Sequence, residues 1–215
     1  MQAACIIIVV AMGVNGERGH RRTQAERSTA TRSALIAAAR RLFADQGYAA
    51  TGREQIVDAA GVTRGAMYHH FTGKEDLFRV VYESVEADVV EAVLAAAGAG
   101  RDPASQLRLG AHAFLDTALD PAVQRIVLLD APAVLDPAVH RELSEVYGLG
   151  IVRASVQEVM SAGQMARGPI EPIAHMLLAA LHAAAQLVAG ADDHRAARAE
   201  AGAAVDYVLD RLLEG

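Results

Sequence analysis

The stretch "TGREQIVDAAGVTRGAMYHHFTGKEDLF", residues 51–78, contains the helix signals that decide the fold. Gly61 permits a left-handed turn between two short apolar segments, and Thr63 is placed to cap the helix that follows it. The tetrads TGRE at 51–54 and TGKE at 72–75 each have the spacing of a capping box, which begins a helix. The stretch therefore predicts two short helices joined by a tight turn, and then the start of a longer helix. This is the layout of a helix-turn-helix, in which the second helix presents its N-terminal residues to base edges.

The residues before this stretch predict one more helix. Apolar side chains share one helical face from Thr31 onward, and Gly47 is placed to end the helix. This face consists of Leu35, Ile36, Ala39, Leu42 and Phe43. Residues 15–31 are polar and rich in arginine, so we expect a flexible basic arm there.

Composition and charge place this segment in a larger helical protein. The chain has 215 residues, of which 53% are hydrophobic, and its alanine-rich pattern with apolar residues at three- and four-residue intervals predicts an all-α fold. The net charge is −6, but residues 1–74 hold ten Lys or Arg and five Asp or Glu, whereas 75–215 hold ten and twenty-one. A basic N-terminal module on an acidic body is typical of a protein whose small first domain meets a polyanion.

The single cysteine, Cys5, excludes an internal disulfide and is compatible with a reducing cytoplasm. The uncharged segment 3–14 is shorter than the roughly 20 residues that span a bilayer, and no A-x-A cleavage pattern follows it. We therefore expect a cytoplasmic protein without a cleaved signal and without a membrane partner.

Proline and glycine divide the remainder into helices, which makes about nine helices in the whole chain. These later helices are expected at 74–97, 104–118, 122–130, 138–162, 170–189 and 194–213. The segment 173–191 is apolar on nearly every face, so we expect it to pack against a second apolar surface in addition to its own domain. The last helix offers an apolar stripe of Val205, Val208, Leu209 and Leu212. We predict a homodimer joined through the last two helices, which would read an inverted-repeat operator.

Residues 51–78, with "RSALIAAARRLFADQGY" before them, resemble the DNA-binding signature of the tetracycline-repressor (TetR) family of bacterial regulators. The resemblance implies a flexible extension at 1–28, a DNA-binding domain at 29–89 and a helical ligand-binding and dimerisation domain at 90–215. It also implies which side chains meet double-stranded DNA, with Arg64 as the candidate for a bidentate contact to guanine. The side chains expected to face DNA are Arg53, Thr63, Arg64 and Gly65, and those expected to hold phosphates are Tyr68, His69 and Lys74.

Polar residues on apolar stretches of the second domain are candidates for orienting a small, mostly apolar effector, although each is equally compatible with a core or surface role. They are His112, Asp116, Asp130, Tyr147 and Gln157. Metal binding by the adjacent His69 and His70 is not expected, because neighbouring helical positions point about 100° apart. No metal or other cofactor is predicted.

These patterns predict a ligand-responsive repressor that binds a palindromic operator as a homodimer and is released by a small molecule. An enzyme is not expected, since G-x-S-x-G, H-E-x-x-H and the P-loop are all absent. The alternative is a helical dimer of the same fold that binds only a small molecule or a protein, and does not bind DNA.

Overall fold

A computed structural model describes residues 23–213, and every regular element within that range is helical. The α-helices are α1 (Gln24–Ala50), α2 (Arg53–Ala60), α3 (Arg64–His70), α4 (Lys74–Ala97), α5 (Pro103–Thr117), α6 (Ala131–Val134), α7 (Pro137–Ser144), α8 (Gly150–Ser161), α9 (Ile170–Ala189) and α10 (His194–Leu213). Two π-helical segments, Val123–Asp130 and Glu145–Leu149, lead directly into α6 and α8.

The predicted all-α fold is confirmed. The π-helical segments merge with their neighbours, so the described range contains nine continuous helical runs. The run predicted at 138–162 is one of these, because α7, the segment Glu145–Leu149 and α8 follow one another without a break.

The first helix begins earlier than its apolar pattern indicated. Thr23 accepts a hydrogen bond from the Glu26 backbone N–H, and the Glu26 carboxylate accepts one from the Thr23 backbone N–H at 2.7 Å. This capping box starts α1 at Gln24, so the prediction of a flexible arm is wrong for 24–30. The rest of the predicted extension, residues 1–22, lies outside the described residues.

The N-terminal helices pack around a small apolar core that α4 shares. Leu35 and Phe43 of α1, Ile56 of α2 and Met67 of α3 are fully buried together with Phe78 of α4. Because α3 has only seven residues, its position is fixed by this packing and not by its own helical stability.

Two of the predicted capping boxes are replaced by other contacts. Gly52 is the N-cap of α2, and the Gln55 side chain accepts its N–H at 2.7 Å. The buried Thr51 hydroxyl instead donates to the carbonyl of Gly47, which closes the preceding helix. At the start of α4, Asp76 accepts the Thr72 backbone N–H at 3.0 Å in place of the expected Glu75 contact. The helix boundaries were thus correct while the side chains that fix them differ.

The last two helices pack against each other and leave apolar side chains on their outer face. On α9, Met176 and Leu187 are 73% and 72% exposed, and on α10 Tyr207 is 65% exposed. The stripe predicted on the last helix is divided. Val205 and Leu209 are buried in their own subunit, whereas Val208 is exposed.

Candidate DNA interface and effector cavity

The turn between α2 and α3 has the geometry that the sequence predicted. Gly61 adopts φ 65° and ψ 33°, the left-handed region that favours glycine. The Val62 N–H then donates to the Val57 carbonyl at 3.2 Å. Thr63 caps α3, since its hydroxyl accepts the Ala66 N–H at 3.2 Å. These bonds direct the N-terminus of α3 away from the core.

Six of the seven predicted DNA contacts are exposed, on α2, on α3 and at the N-cap of α3. They are Arg53, Thr63, Arg64, Gly65, Tyr68 and His69. A Cβ placed on Gly65 would have no neighbour within 4 Å, so this end of the helix is open to an approaching molecule. The N-terminal amides of α3 face the same side, where helices attract anions.

The side chains of this surface are held only by weak contacts with one another. Arg53 donates to the Tyr68 hydroxyl at 3.1 Å, which bridges α2 and α3. Arg64 lies 3.4 Å from the Glu54 carboxylate, and the Arg64 side chain is 65% exposed. An exposed ion pair of this kind contributes about 0–1 kcal/mol, so Arg64 is available to another acceptor.

Lys74 has a structural role that the sequence did not reveal. Its ammonium donates to the carbonyls of Tyr48 and Thr51 at 2.9 and 3.0 Å, and lies 3.9 Å from the centre of the Tyr48 ring. Burial, and secondly the positive charge of Arg53, lower the pKa of Lys74. Lys74 therefore joins the start of α4 to the end of α1.

The two adjacent histidine rings contact each other and do not point toward a common metal position. The rings of His69 and His70 lie 5.2 Å apart in an edge-to-face arrangement. Within residues 23–213 no group of three or more His, Cys, Asp or Glu side chains is arranged to hold a metal ion.

A cavity lies between α4, α5, α8 and α9. It offers about 100 Å³ of free space to water-sized molecules, and most of its lining is apolar. Of the five polar residues that the sequence singled out, Tyr147 lines this cavity. The other four lie elsewhere, because their hydrogen bonds go to neighbouring helices or because they face solvent.

His112 and Asp116 belong to a polar network that joins α5 to α10. The His112 Nε2 lies 2.9 Å from the Asp206 carboxylate, and Arg198 donates to the Asp116 carboxylate at 2.7 Å and to the His112 carbonyl at 3.0 Å. The sequence signal, a polar residue on an apolar face, was the same as for a ligand contact. The partners on α10, about ninety residues away, were not visible in the sequence.

Asp130 and Gln157 also lie outside the cavity. The Asp130 carboxylate accepts the Tyr48 backbone N–H at 2.7 Å, so it connects the second domain to the end of α1. Gln157 is exposed and borders a shallow surface depression on α8.

Two titratable residues that the sequence analysis did not select line the cavity, Glu86 and His182. Glu86 is only 8% exposed, and burial raises its pKa against the smaller opposing effect of a hydrogen bond from Tyr82. Burial, and then the neighbouring His140, lower the pKa of His182. A signal for Glu86 was present, since it lies four residues after Tyr82 on the inner face of α4.

Within the described range, one helix, α9, is long and apolar enough to cross a membrane, judged by length and composition only. Core helices of soluble proteins pass the same test, and α9 packs against α5, α8 and α10.

Two family profiles match the chain. Residues 35–81 match that of the bacterial regulatory proteins of the tetR family, and residues 104–212 match a tetracyclin repressor-like C-terminal domain.

Two of the proteins similar in sequence are named as regulators of transcription. The HTH-type transcriptional activator FasR of Mycolicibacterium smegmatis is 35% identical over 99 residues, which are 46% of this chain and 43% of FasR. The matched part is thus less than two thirds of that relative. The HTH-type transcriptional repressor AcnR of Corynebacterium glutamicum is 33% identical over 141 residues, which are 61% of this chain and 73% of AcnR.

The fold is also similar to that of solved structures. A TetR-family transcriptional regulator from Pectobacterium atrosepticum superposes with a TM-score of 0.76 and 32% identity, covering 89% of this chain and 98% of that one.

Proposed function

This chain belongs to the TetR family of bacterial regulatory proteins, and we propose that it is a repressor that binds a palindromic operator as a homodimer and is released by a small molecule. The observation that carries this proposal is the open N-terminal end of α3, where Thr63, Arg64 and Gly65 project beside an exposed Tyr68. We assign no catalytic role to any residue.

The roles of the DNA-facing side chains follow from where each one lies. Arg64 is in the first turn of α3 and has only a weak partner, so its guanidinium can make a bidentate contact to guanine in the major groove. Arg53 and Tyr68, which bridge the two helices, together with His69, contact phosphates and set the register. Lys74 fixes the angle between α1 and α4, and it offers its remaining N–H to a phosphate of the DNA backbone.

We propose that the dimer forms through the outer face of α9 and α10. Met176 and Leu187 lie three helical turns apart on α9, and the exposed residues between them include the small Ala179, Ala180 and Ala183. Small side chains allow two copies of α9 to approach closely, while Tyr207 and Val208 of α10 extend the apolar surface. A two-fold axis through this face gives two reading helices, which need half-sites about 34–36 Å apart or multiples of that distance.

Two connections can transmit the state of the cavity to the reading helix. Helix α4 forms part of the cavity wall between Glu86 and Ala97, and its first residue, Lys74, holds the end of α1. Asp130 holds the same end from the second domain through the Tyr48 N–H. A ligand that favours another position of α4 would change the separation of the two reading helices, whereas equal affinity for both positions would shift nothing.

The test is footprinting of the purified protein on DNA flanking its own gene, followed by titration of the mapped operator at several salt concentrations. Three to four phosphates neutralised per subunit predict a log-log salt slope of about −5 to −7 for the dimer. A slope near zero, with no footprint at low salt, would favour the alternative of a helical dimer that does not bind DNA. A promoter reporter determines whether bound protein lowers transcription.

A further inference from the structure

The cavity contains one buried acidic group, and its described lining includes one basic side chain, the imidazole of His182. Glu86 lies on its wall with 8% exposure, and none of the described residues that line the cavity is Arg or Lys. The hydrogen-bond partner of its carboxyl group is the buried hydroxyl of Tyr82. A buried carboxylate without a cation is costly, and the protein supplies no charge to offset it.

The groups packed around Glu86 do not provide that charge either. Tyr82 lies on the same helix, Tyr147 faces it from the π-helical segment Glu145–Leu149, and burial raises the pKa of both hydroxyls, which keeps them neutral. Burial lowers the pKa values of His182 of α9 and His140 of α7, which favours their neutral forms. Burial raises the pKa of Glu86 and so favours its protonated form, and a positive charge that would favour the carboxylate has to come from outside the described lining.

The cavity is also elongated and changes character along its length. The wall formed by α4 extends over the twelve residues from Glu86 to Ala97, which corresponds to about 16 Å at the rise of an α-helix. Tyr147 accompanies Glu86 at one end. Val93, Leu94 and Ala97 line the α4 wall toward the other end, where the Gln106 amide donates to the Gly100 carbonyl at 3.3 Å. Such a shape fits a molecule with one polar head and an apolar body.

We propose that the effector is an elongated organic amine, whose ammonium group binds the Glu86 carboxylate while its apolar body lies along α4 toward Ala97. An anionic head would lie beside Glu86 without Arg or Lys to neutralise it. A neutral hydroxyl head would gain one hydrogen bond but no charge pairing. The regulatory consequence of this binding rests on the proposed function, whereas the binding itself does not.

Three probes with the same chain length and different heads test the proposal: decylamine, decanol and decanoate. Calorimetry with the purified full chain at pH 7 should show one decylamine site per subunit and an affinity at least about tenfold higher than for decanol, with decanoate weakest. Equal affinity for decylamine and decanol, or no binding of decylamine, would overturn the proposal.

A matched pair of variants locates the head group. Glu86→Gln keeps the size of the side chain and its hydrogen bonding, so the preference for decylamine over decanol should fall to about onefold while decanol affinity is retained. Glu91→Gln makes the same charge change at an exposed position of the same helix and should keep the full preference. A preference that survives in Glu86→Gln, or that is lost equally in Glu91→Gln, contradicts the assignment.

Adding decylamine to the operator complex separates the two proposals. Release of DNA by decylamine supports both. Selective, Glu86-dependent binding without release supports the ligand class and contradicts the regulatory mechanism. Operator binding with no amine selectivity contradicts the ligand class alone.

Discussion

Replacement of Arg64 by alanine separates DNA recognition from folding. The Arg64 side chain is 65% exposed and its one ionic contact, to Glu54, measures 3.4 Å. Losing that contact should change the free energy of unfolding by less than about 1 kcal/mol. A bidentate contact to guanine contributes about 1–3 kcal/mol. Each operator complex contains two copies of Arg64, so the loss of binding free energy should be about 2–6 kcal/mol per dimer. Values near the low end are expected, because binding of wild type also breaks the contact between Arg64 and Glu54.

In equilibrium titrations of a mapped operator, Arg64→Ala should therefore bind about 30-fold to 3 × 10⁴-fold more weakly than wild type. Substitutions at one base position per half-site should no longer matter to the variant. The matched control is Arg101→Ala, which removes the same charge from an exposed turn between α4 and α5. Urea unfolding midpoints should be equal for all three proteins. Our assignment of Arg64 is refuted if the variant binds the operator within about threefold of wild type, or if Arg101→Ala is equally impaired.

Three further substitutions test the interface, the fold and the cavity. Glu54→Gln removes a negative charge beside Arg64 and should tighten operator binding, and weaker binding in the same titration would contradict this. Gly47→Ala should lower the free energy of unfolding by about 1–3 kcal/mol in urea, because φ 80° and ψ 168° are available only to glycine; an unchanged midpoint would argue against that backbone geometry. Burial raises the pKa of Glu86 above its ordinary 4.5, so the folded chain keeps a proton that the unfolded chain has lost, and stability falls as pH rises through that window. Glu86→Gln should remove this fall, and parallel stability curves for both proteins would contradict the assignment.

A fourth substitution tests the dimer. Leu187→Glu places a charge on the exposed apolar face of α9 and should give monomers in analytical ultracentrifugation, with the helical content unchanged. A dimer that persists would show that another surface joins the subunits.

The local signals in the sequence were sufficient for the helices and the reading end of α3. Gly61 and Thr63 act through bonds to residues within five positions, so their roles follow from spacing alone. Local reasoning was weaker where two side chains can satisfy the same helix end. Gln55 and Asp76 accept the helix-starting N–H groups instead of the expected Glu54 and Glu75, because each is the next residue in the chain and its side chain reaches an N–H at the same helix start.

Only the tertiary structure showed which groups the isolated polar residues contact. His112 and Asp116 have the same sequence context as a ligand contact, yet α10 supplies their partners. Asp130 serves the junction with α1, and Glu86, one residue beyond an apolar position, lines the cavity.

Helix periodicity and capping depend on neighbours in the chain, and the amino-acid order alone therefore determined the nine helical runs and the open tip of α3. Whether a polar side chain meets solvent, a partner helix or a cavity depends on residues that folding brings from fifty to a hundred positions away. Only packing in three dimensions could decide that Tyr147 and Glu86 share one enclosed space while Gln157 faces solvent.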